Sequence, residues 1–152
     1  MQSGQTTLES NAAAPKVLSC GVVVLRNTPE GRRYLLLRAW HHWDFPKGRQ
    51  ESNETPFETA IREVREETAL TKLDFEWGTD RYIDTPPYAN GKVARYYIAS
   101  TEETNVQLLP NPVCGRVEHE EFDWFDFDHA ARLLAPRVRT VLRWAARVSG
   151  QP

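Results

Sequence analysis

The chain has 152 residues, of which 40% are hydrophobic, and a formal net charge of −2 at pH 7. These values predict one soluble globular domain that is long enough to bury a core, with no internal repeat and no second domain. A near-neutral chain with scattered arginines gives little support to a nucleic-acid-binding surface, which requires clustered basic residues.

The first 15 residues form a polar segment rich in Ser, Thr, Gln and Ala. The segment lacks the apolar stretch of a signal peptide or a membrane span. We therefore predict a disordered tail at 1–15, a domain at 16–150, no membrane partner and a cytoplasmic protein. Cys20 and Cys114 are expected to be free thiols, because one lies in an apolar run and the other in a loop rich in Pro and Gly.

Two apolar runs, 17–26 and 34–38, follow the tail, and they are rich in Val, Leu and other strand-forming residues. The segment 27–31 between them contains Asn, Pro and Gly, which are typical of turns. The sequence therefore predicts an antiparallel hairpin.

A helix is predicted to begin after Thr55. Thr55 and Glu58 form a capping box, and Pro56 occupies the first helical position. Apolar and small side chains then recur with helical spacing and form one stripe that can face a core. The residues of the stripe are Phe57, Ala60, Ile61, Val64 and Thr68.

Three carboxylates, Glu63, Glu66 and Glu67, fall together on an exposed flank of this helix, away from the apolar stripe. Like charges at this spacing repel each other, so helix stability does not require them. A hard cation such as Mg²⁺ or Mn²⁺ prefers oxygen ligands, and the pattern predicts a site for one. The alternative is a solvated acidic face that Arg62 and Arg65 partly neutralise.

A second strand pair is predicted at 73–85 and 93–100. The connecting segment, 86–91, contains an Asn-Gly turn signal. A further short strand is expected at 122–127, where aromatic and acidic residues alternate.

The chain is predicted to end in a long helix that Asp128 caps and that runs to about Val148, with Pro136 as its kink. The arginines of this helix are expected to form a solvated face. They are Arg137, Arg139, Arg143 and Arg147.

Strands interleaved with two helices predict an α/β (α+β) fold with a mixed β-sheet covered on both faces.

Residues 48–70 resemble the Nudix box, G-x5-E-x7-R-E-U-x-E-E-x-G-U, in which U is a bulky aliphatic residue. One position departs, because Ala69 stands where the family has a second glycine. That glycine normally ends the helix in a left-handed conformation, so we predict a slightly strained or differently shaped helix end. The matching positions are Gly48, Glu54, Arg62, Glu63, Val64, Glu66, Glu67 and Leu70.

The resemblance implies an αβα sandwich and the metal-dependent hydrolysis of a nucleoside diphosphate linked to another group. It also implies that Glu63, Glu66 and Glu67 hold Mg²⁺ or Mn²⁺. Glu118, outside the box, is expected to reach the metal site, and the alternative is a charged rim. Either Glu66 or Glu118 would deprotonate the attacking water.

Supporting roles are expected for three other residues of the box. Gly48 opens its loop, and Glu54 is expected to brace that loop. Arg62 is expected to orient a glutamate of the box.

Residues outside the box are similar to those of the asymmetric diadenosine tetraphosphate hydrolases. The likeness includes segments 41–43 and 46–48, and it extends through Glu118 and His119 to segment 122–124. It implies cleavage of diadenosine tetraphosphate to ATP and AMP. The chain departs from the usual pattern in having Ser52 and Asn53 within the box, and Arg49 where a histidine is common.

Five residues are candidates for substrate binding. His42 is expected to donate to a phosphate oxygen, or otherwise to bond to a nearby carbonyl. Lys47 and Lys92 are candidate phosphate clamps, although a lysine such as Lys92 can simply be solvated. Tyr88 and Tyr96 are candidates to stack on adenine, with a place in the core as the alternative for a strand tyrosine. Tyr97, next to Tyr96, is the better core candidate.

Three alternatives stay open at this point. The first is removal of pyrophosphate from an RNA 5′ end, and the second is hydrolysis of diphosphoinositol polyphosphates. The third is a non-catalytic nucleotide-binding Nudix module, against which the intact Glu63, Glu66 and Glu67 argue. The expected partner is a small nucleotide, with no nucleic acid other than an RNA 5′ end, and the sequence does not give the oligomeric state.

Overall fold

The structure is a computed structural model, which describes residues 17–150; the predicted tail at 1–15 lies outside this range. One seven-stranded mixed sheet carries helices on both faces. No helix between residues 17 and 150 has the length and apolar character needed to cross a membrane. The elements are β1 (Val17–Thr28), β2 (Gly31–Ala39), β3 (His42–Asp44), β4 (Lys47–Arg49), α1 (Pro56–Thr68), β5 (Ile83–Asp84), β6 (Lys92–Ser100), β7 (Glu121–Phe125), α2 (Phe127–Leu133) and α3 (Pro136–Val148).

Strand β1 is the centre of the sheet. It pairs antiparallel with β2, which confirms the predicted hairpin, and parallel with β6 from Val17 beside Lys92 to Leu25 beside Ser100. Strand β4 pairs with the first half of β1, and β7 pairs with β2. The mixed sheet and the α/β class are therefore confirmed.

The two faces of the sheet bury two separate sets of side chains, because neighbouring residues of a strand point to opposite sides. On one side, Val23 and Leu25 of β1 pack in the cluster that contains α2 and α3. On the other side, Val22 and Val24 pack in the cluster that contains α1.

Helix α1 begins as predicted, with both hydrogen bonds of the capping box between Thr55 and Glu58 present. Its core side buries Thr59, Ala60 and Val64. Ala69 ends the helix at φ 69° and ψ 4°, in the left-handed region that favours glycine. The prediction of a strained helix end is confirmed.

The predicted strand at 73–85 is wrong for most of its length. Only Ile83–Asp84 forms a strand with β6, and Asp74 makes an isolated bridge to Ser100. A turn interrupts the segment where the Gly78 N–H donates to the Phe75 carbonyl, with φ of Gly78 at 114°. The turn at 86–91 is confirmed, since Asn90 and Gly91 have positive φ.

The predicted long terminal helix is two helices. Asp126, and not Asp128, caps α2 by accepting a hydrogen bond from the His129 N–H. Ala135 then adopts extended backbone angles before α3 begins at Pro136. A residue that precedes proline is disfavoured in the helical region, so Pro136 starts a new helix instead of kinking one.

Candidate active site

The pairing of β4 with β1 places β4 against α1. A Cβ atom at Gly48 would lie 2.0 Å from the Glu63 carboxyl carbon, so a larger residue there would displace that carboxylate. The Lys47 backbone N–H donates to Glu67 Oε1 at 3.2 Å. Gly48 therefore holds the position that the box pattern predicts for it, beside two of the three carboxylates.

Arg62 is the centre of an ion-pair network within the box. Its Nε and Nη2 donate to the two carboxylate oxygens of Glu54 at 2.5 and 3.0 Å. Its Nη1 donates to Glu63 at 2.9 Å and to Glu66 at 3.1 Å. Arg62 thus orients the two glutamates, which agrees with the role that the resemblance implies.

Glu54 braces the loop that leads into α1. One of its oxygens accepts from the Glu51 backbone N–H at 3.0 Å and from the Thr59 hydroxyl at 2.8 Å. The hydrogen bond from Arg62 is the largest cause that lowers the pKa of Glu54 to about 2. The Glu54 carboxylate is therefore an ionised structural anchor over the whole physiological pH range.

The expectation of an exposed acidic flank is wrong, because the side chains of Glu63 and Glu66 are only 14% and 24% exposed. Burial, followed by the charge of neighbouring Glu63, raises the pKa of Glu67 well above its ordinary value. Burial also raises the pKa of Glu63. Strand β4 covers this flank of α1, so the carboxylates are crowded together in a pocket and partly removed from water.

This pocket is completed by the loop before β7, as predicted for Glu118. Asn111 Nδ2 donates to Glu118 Oε2 at 2.7 Å and fixes that exposed side chain. His119 also lines the pocket, and burial lowers its pKa. Neither Asn111 nor His119 is assigned a role by the sequence pattern, although His119 directly follows Glu118. The polar lining comprises Glu63, Glu66, Glu67, Asn111, Glu118 and His119.

The donor set fits a hard divalent cation, since it contains several carboxylates and no thiolate. As the side chains stand, no three acidic, His or Cys groups between residues 17 and 150 converge on one point. Glu63 and Glu66 instead point their oxygens at Arg62. An incoming cation would have to share these oxygens with the guanidinium.

A second cluster lies on the other side of Lys47, around Asp44. Asp44 Oδ1 accepts from the Tyr96 hydroxyl at 3.0 Å, and Asp44 Oδ2 lies 3.4 Å from Lys47 Nζ. Burial lowers the pKa of Lys47, but the charges of Asp44, Tyr88 and Glu67 outweigh it, so the net pKa is raised. Lys47 is therefore a permanent cation beside the carboxylate pocket.

The expectation that Tyr96 stacks on a base is wrong. Its side chain is fully buried and packs edge-on against Phe45, with ring centroids 5.8 Å apart. Because helices cover both faces of the sheet, Tyr96 and Tyr97 are both core residues, on opposite sides. The role of Tyr96 is to hold Asp44.

Tyr88 lies in the loop that leads into β6, and Lys92 is the first residue of that strand. Their backbones exchange hydrogen bonds of 2.8 and 2.7 Å. Tyr88 is half-buried, and the Lys92 side chain is exposed. His42 is exposed on β3, two residues before Asp44. None of these three residues lines the carboxylate pocket, so their substrate roles stay predictions.

The expectation of a solvated arginine face is wrong for the first turn of α3. The Arg137 guanidinium lies over the Tyr88 ring, with Cζ 3.8 Å from the centroid. Arg139 donates to the backbone carbonyls of Ala131 and Leu134 at 2.7 and 3.0 Å. Arg143 and Arg147 are exposed as expected. Both cysteines, Cys20 and Cys114, are free thiols as predicted.

Comparison with known proteins agrees with this geometry. Residues 15–145 match the NUDIX domain family. The chain belongs to the Nudix family. It is 29% identical over 126 residues to the asymmetrical bis(5′-nucleosyl)-tetraphosphatase of Mus musculus. That match covers 76% of this chain and 82% of the mouse protein. It is 27% identical over 112 residues to the RNA pyrophosphohydrolase of Agrobacterium fabrum, covering 65% and 66% of the two chains.

A solved structure of a binary complex of the Ap4A hydrolase of C. elegans superposes on this Nudix chain with a TM-score of 0.73. The two chains are 27% identical, and the match covers 88% of this chain and 98% of the other. The chain is thus a Nudix pyrophosphohydrolase. Enzymes of this family act on small nucleotides and use divalent metal ions.

Proposed function

We propose that this Nudix hydrolase cleaves diadenosine tetraphosphate to ATP and AMP with Mg²⁺ or Mn²⁺ as its cofactor. The observation that carries the proposal is the position of Lys47, between the pocket of Glu63, Glu66 and Glu67 and the cluster around Asp44. A cation there can hold the phosphate chain to one side of the carboxylates. The names of the relatives from Mus musculus and C. elegans support the same substrate.

Glu63, Glu66, Glu67 and Glu118 would hold the metal. When bound, the divalent cation supplies positive charge that neutralises the phosphate chain and polarises the attacked phosphoryl group. Burial and the charge of Glu63, which raise the pKa of Glu67, would both be offset by a cation held there. The oxygen-rich lining of the pocket and its shortage of positive charge fit this assignment.

The protein residues position the reactants and move one proton. Lys47 binds the phosphate chain off-centre, so attack falls toward one end of it. Glu66 or Glu118 accepts a proton from the attacking water as its oxygen bonds to phosphorus. The bond from that phosphorus to the bridging oxygen breaks, and the departing nucleotide keeps the electron pair. The two candidate general bases have different partners, since Arg62 donates to Glu66 and Asn111 donates to Glu118.

His42 and Lys92 would contact outer phosphate oxygens, and Tyr88 would lie beside one adenine. In support, His42 pairs with Ala39 at the end of β2, and Lys92, hydrogen-bonded to Tyr88, pairs with Val17 in the half of β1 that β4 also contacts. The cytoplasmic location also stays a prediction. A second candidate substrate is the 5′ end of RNA, which the relative from Agrobacterium fabrum favours.

A substrate panel with matched variants tests the proposal. Purified protein with Mg²⁺ is incubated with dinucleoside polyphosphates, ADP-ribose, nucleotide sugars, triphosphorylated RNA and inositol pyrophosphates, and products are separated by chromatography. We expect the highest kcat/KM for diadenosine tetraphosphate. Glu66→Gln and Glu67→Gln should each lower turnover at least about a hundredfold. Near wild-type rates in both variants, or a preference for RNA, would refute it.

A further inference from the structure

Arg137 has an electrostatic environment that differs from those of the other arginines near the site. Its guanidinium lies against the ring of Tyr88, with Cζ 3.8 Å from the centroid. Its Nη1 is buried and has no hydrogen-bond partner among residues 17–150. Buried N–H groups are almost always paired, so Nη1 is a donor for which the described part of the chain supplies no acceptor.

Helix α3 does not compensate the positive charge of Arg137. Arg137 is the second residue of α3, and the first turn of that helix contains no acidic residue. A cation near a helix N-terminus is disfavoured by the helix dipole. Within the described part of the chain, no carboxylate forms an ion pair with Arg137 that would compensate.

Neighbouring arginines show the contrast. Arg38 pairs with Glu120 and Glu121 at 2.8 and 2.9 Å. Arg139, one residue beyond Val138 on the same helix, donates to two backbone carbonyls that end α2. These guanidiniums stabilise the fold through their N–H groups, whereas Arg137 is held through the face of its plane. Face-on stacking fixes the guanidinium while the N–H groups at its edge can still donate.

Arg137 also lies on the same side of the molecule as Lys47. Tyr88, whose ring carries the Arg137 guanidinium, packs against the core cluster that contains Tyr96 and Val138 of α3. The Tyr96 hydroxyl donates to Asp44, which contacts Lys47 Nζ. Contacts therefore connect the carboxylates to Arg137 through Lys47, the Asp44 and Tyr96 pair, and Tyr88.

We propose that Arg137 is a substrate-binding residue whose guanidinium donates to a phosphate oxygen, farther from the carboxylates than Lys47. The planar guanidinium matches the geometry of phosphate, and a charge-assisted bond of this kind is among the strongest in proteins. The inference rests on the proposed function only for the identity of the substrate as a polyphosphate. Its chemistry requires no more than a chain of phosphates that begins in the carboxylate pocket.

Calorimetric titration tests this assignment without turnover. Inorganic tetraphosphate and diadenosine tetraphosphate are titrated, with Ca²⁺ in place of Mg²⁺ so that a cation occupies the carboxylates, into wild type, Arg137→Ala, Arg137→Lys and the control Arg143→Ala. Arg143 is exposed on the same helix, so its loss removes an equal charge from a different place. We expect Arg137→Ala to weaken both ligands by about tenfold or more. Arg137→Lys should retain part of the affinity, and Arg143→Ala should change it less than twofold.

Three results would overturn the assignment. The first is tetraphosphate affinity within twofold of wild type in Arg137→Ala. The second is a loss confined to diadenosine tetraphosphate, which would show that Arg137 contacts the base or ribose. The third is an equal loss in Arg143→Ala, which would show only a general effect of charge. If the melting curve shows that Arg137→Ala does not fold, Arg137→Gln replaces it, and the same three results would overturn the assignment.

The outcome is separate from that of the substrate panel. A protein that binds tetraphosphate through Arg137 but does not cleave diadenosine tetraphosphate would refute the proposed substrate and support the phosphate contact. Cleavage of diadenosine tetraphosphate together with unchanged tetraphosphate affinity in Arg137→Ala would support the proposed substrate and refute the phosphate contact.

Discussion

The carboxyl group of Glu63 occupies the space that a side chain at position 48 would need. A Cβ atom built on Gly48 would lie 2.0 Å from Glu63 Cδ and within 2.3 Å of both carboxylate oxygens. These atoms are the far end of a flexible side chain, so a larger residue would displace the carboxylate and leave the backbone in place. The glycine that opens the box thereby fixes the position of a glutamate 15 residues later.

Gly48→Ala is expected to lower Mg²⁺-dependent turnover by at least about tenfold, because the Glu63 carboxylate must move away from its place beside Arg62. The melting temperature should fall by only about a few degrees. The checks are Mg²⁺-dependent turnover and a melting curve, with and without Mg²⁺, for wild type and the variant. Wild-type turnover in the variant would show that the close approach has no role in the site.

Glu67 should make the metal-free protein less stable as the pH rises. Its pKa is raised in the fold from an ordinary 4.5, mainly by burial and by Glu63. The stability that its proton provides is fully present below 4.5 and is lost as the pH rises through the raised value. We expect the melting temperature in a chelator to fall over that window in wild type relative to Glu67→Gln. Parallel curves for the two proteins would contradict the raised pKa.

Glu54 should have the opposite pH dependence. Its pKa is lowered in the fold from 4.5 to about 2, chiefly by the Arg62 hydrogen bond. Its contribution to stability is present above 4.5 and is lost as the pH falls from 4.5 toward 2. Glu54→Gln should therefore melt below wild type at pH 7, with the gap narrowing by about pH 3. The control is Glu51→Gln, whose side chain is 64% exposed; an equal effect there would exclude a specific role for Glu54.

Ala69→Gly is expected to stabilise the protein by roughly 0.5 to 1 kcal/mol. Ala69 has φ 69°, where a residue with a Cβ is strained by about 1 to 2 kcal/mol, and the gain exceeds the greater entropy of glycine in the unfolded chain. Denaturant unfolding measures the change. The control, Ala60→Gly within the helical part of α1, should destabilise. A loss of stability in Ala69→Gly would contradict the strain.

Tyr96 and Tyr88 should respond differently to replacement by alanine. The Tyr96 ring is buried in the core, so its removal should cost about 3 to 5 kcal/mol of unfolding free energy with little change in KM of the folded protein. Tyr88→Ala should instead raise KM by several fold with a smaller change in stability. Melting curves and KM values for both variants decide the matter. A change in KM for Tyr96→Ala without loss of stability would reverse the assignment.

The sequence predicts most of the fold because its signals are local. The capping box at Thr55 and the turn at 27–31 require only neighbouring residues, and both are present. The break at Ala135 has an equally local cause in Pro136, which starts a helix more readily than it bends one. The position of the N-cap, at Asp126 instead of Asp128, depends on two residues of the same chemistry and could not be chosen from the pattern.

The site was less predictable because its burial depends on contacts between distant segments. Alternation along β6 separates Tyr96 from Tyr97 but does not show that helices cover both sides. The approach of Gly48 to Glu63 and of Tyr88 to Arg137 each requires the tertiary fold. Spacing in α1 did predict that Glu63, Glu66 and Glu67 lie together, since one helix determines it.

Cleavage of diadenosine tetraphosphate in water labelled with heavy oxygen tests the proposed function most directly. With Mg²⁺ present, we predict ATP and AMP in equal amounts, one heavy oxygen per cleavage and all of it in one of the two nucleotides. The reaction should stop on adding a chelator and should be at least about a hundredfold slower in Glu67→Gln. Formation of ADP alone, or no cleavage under conditions where another substrate is hydrolysed, would contradict the assignment.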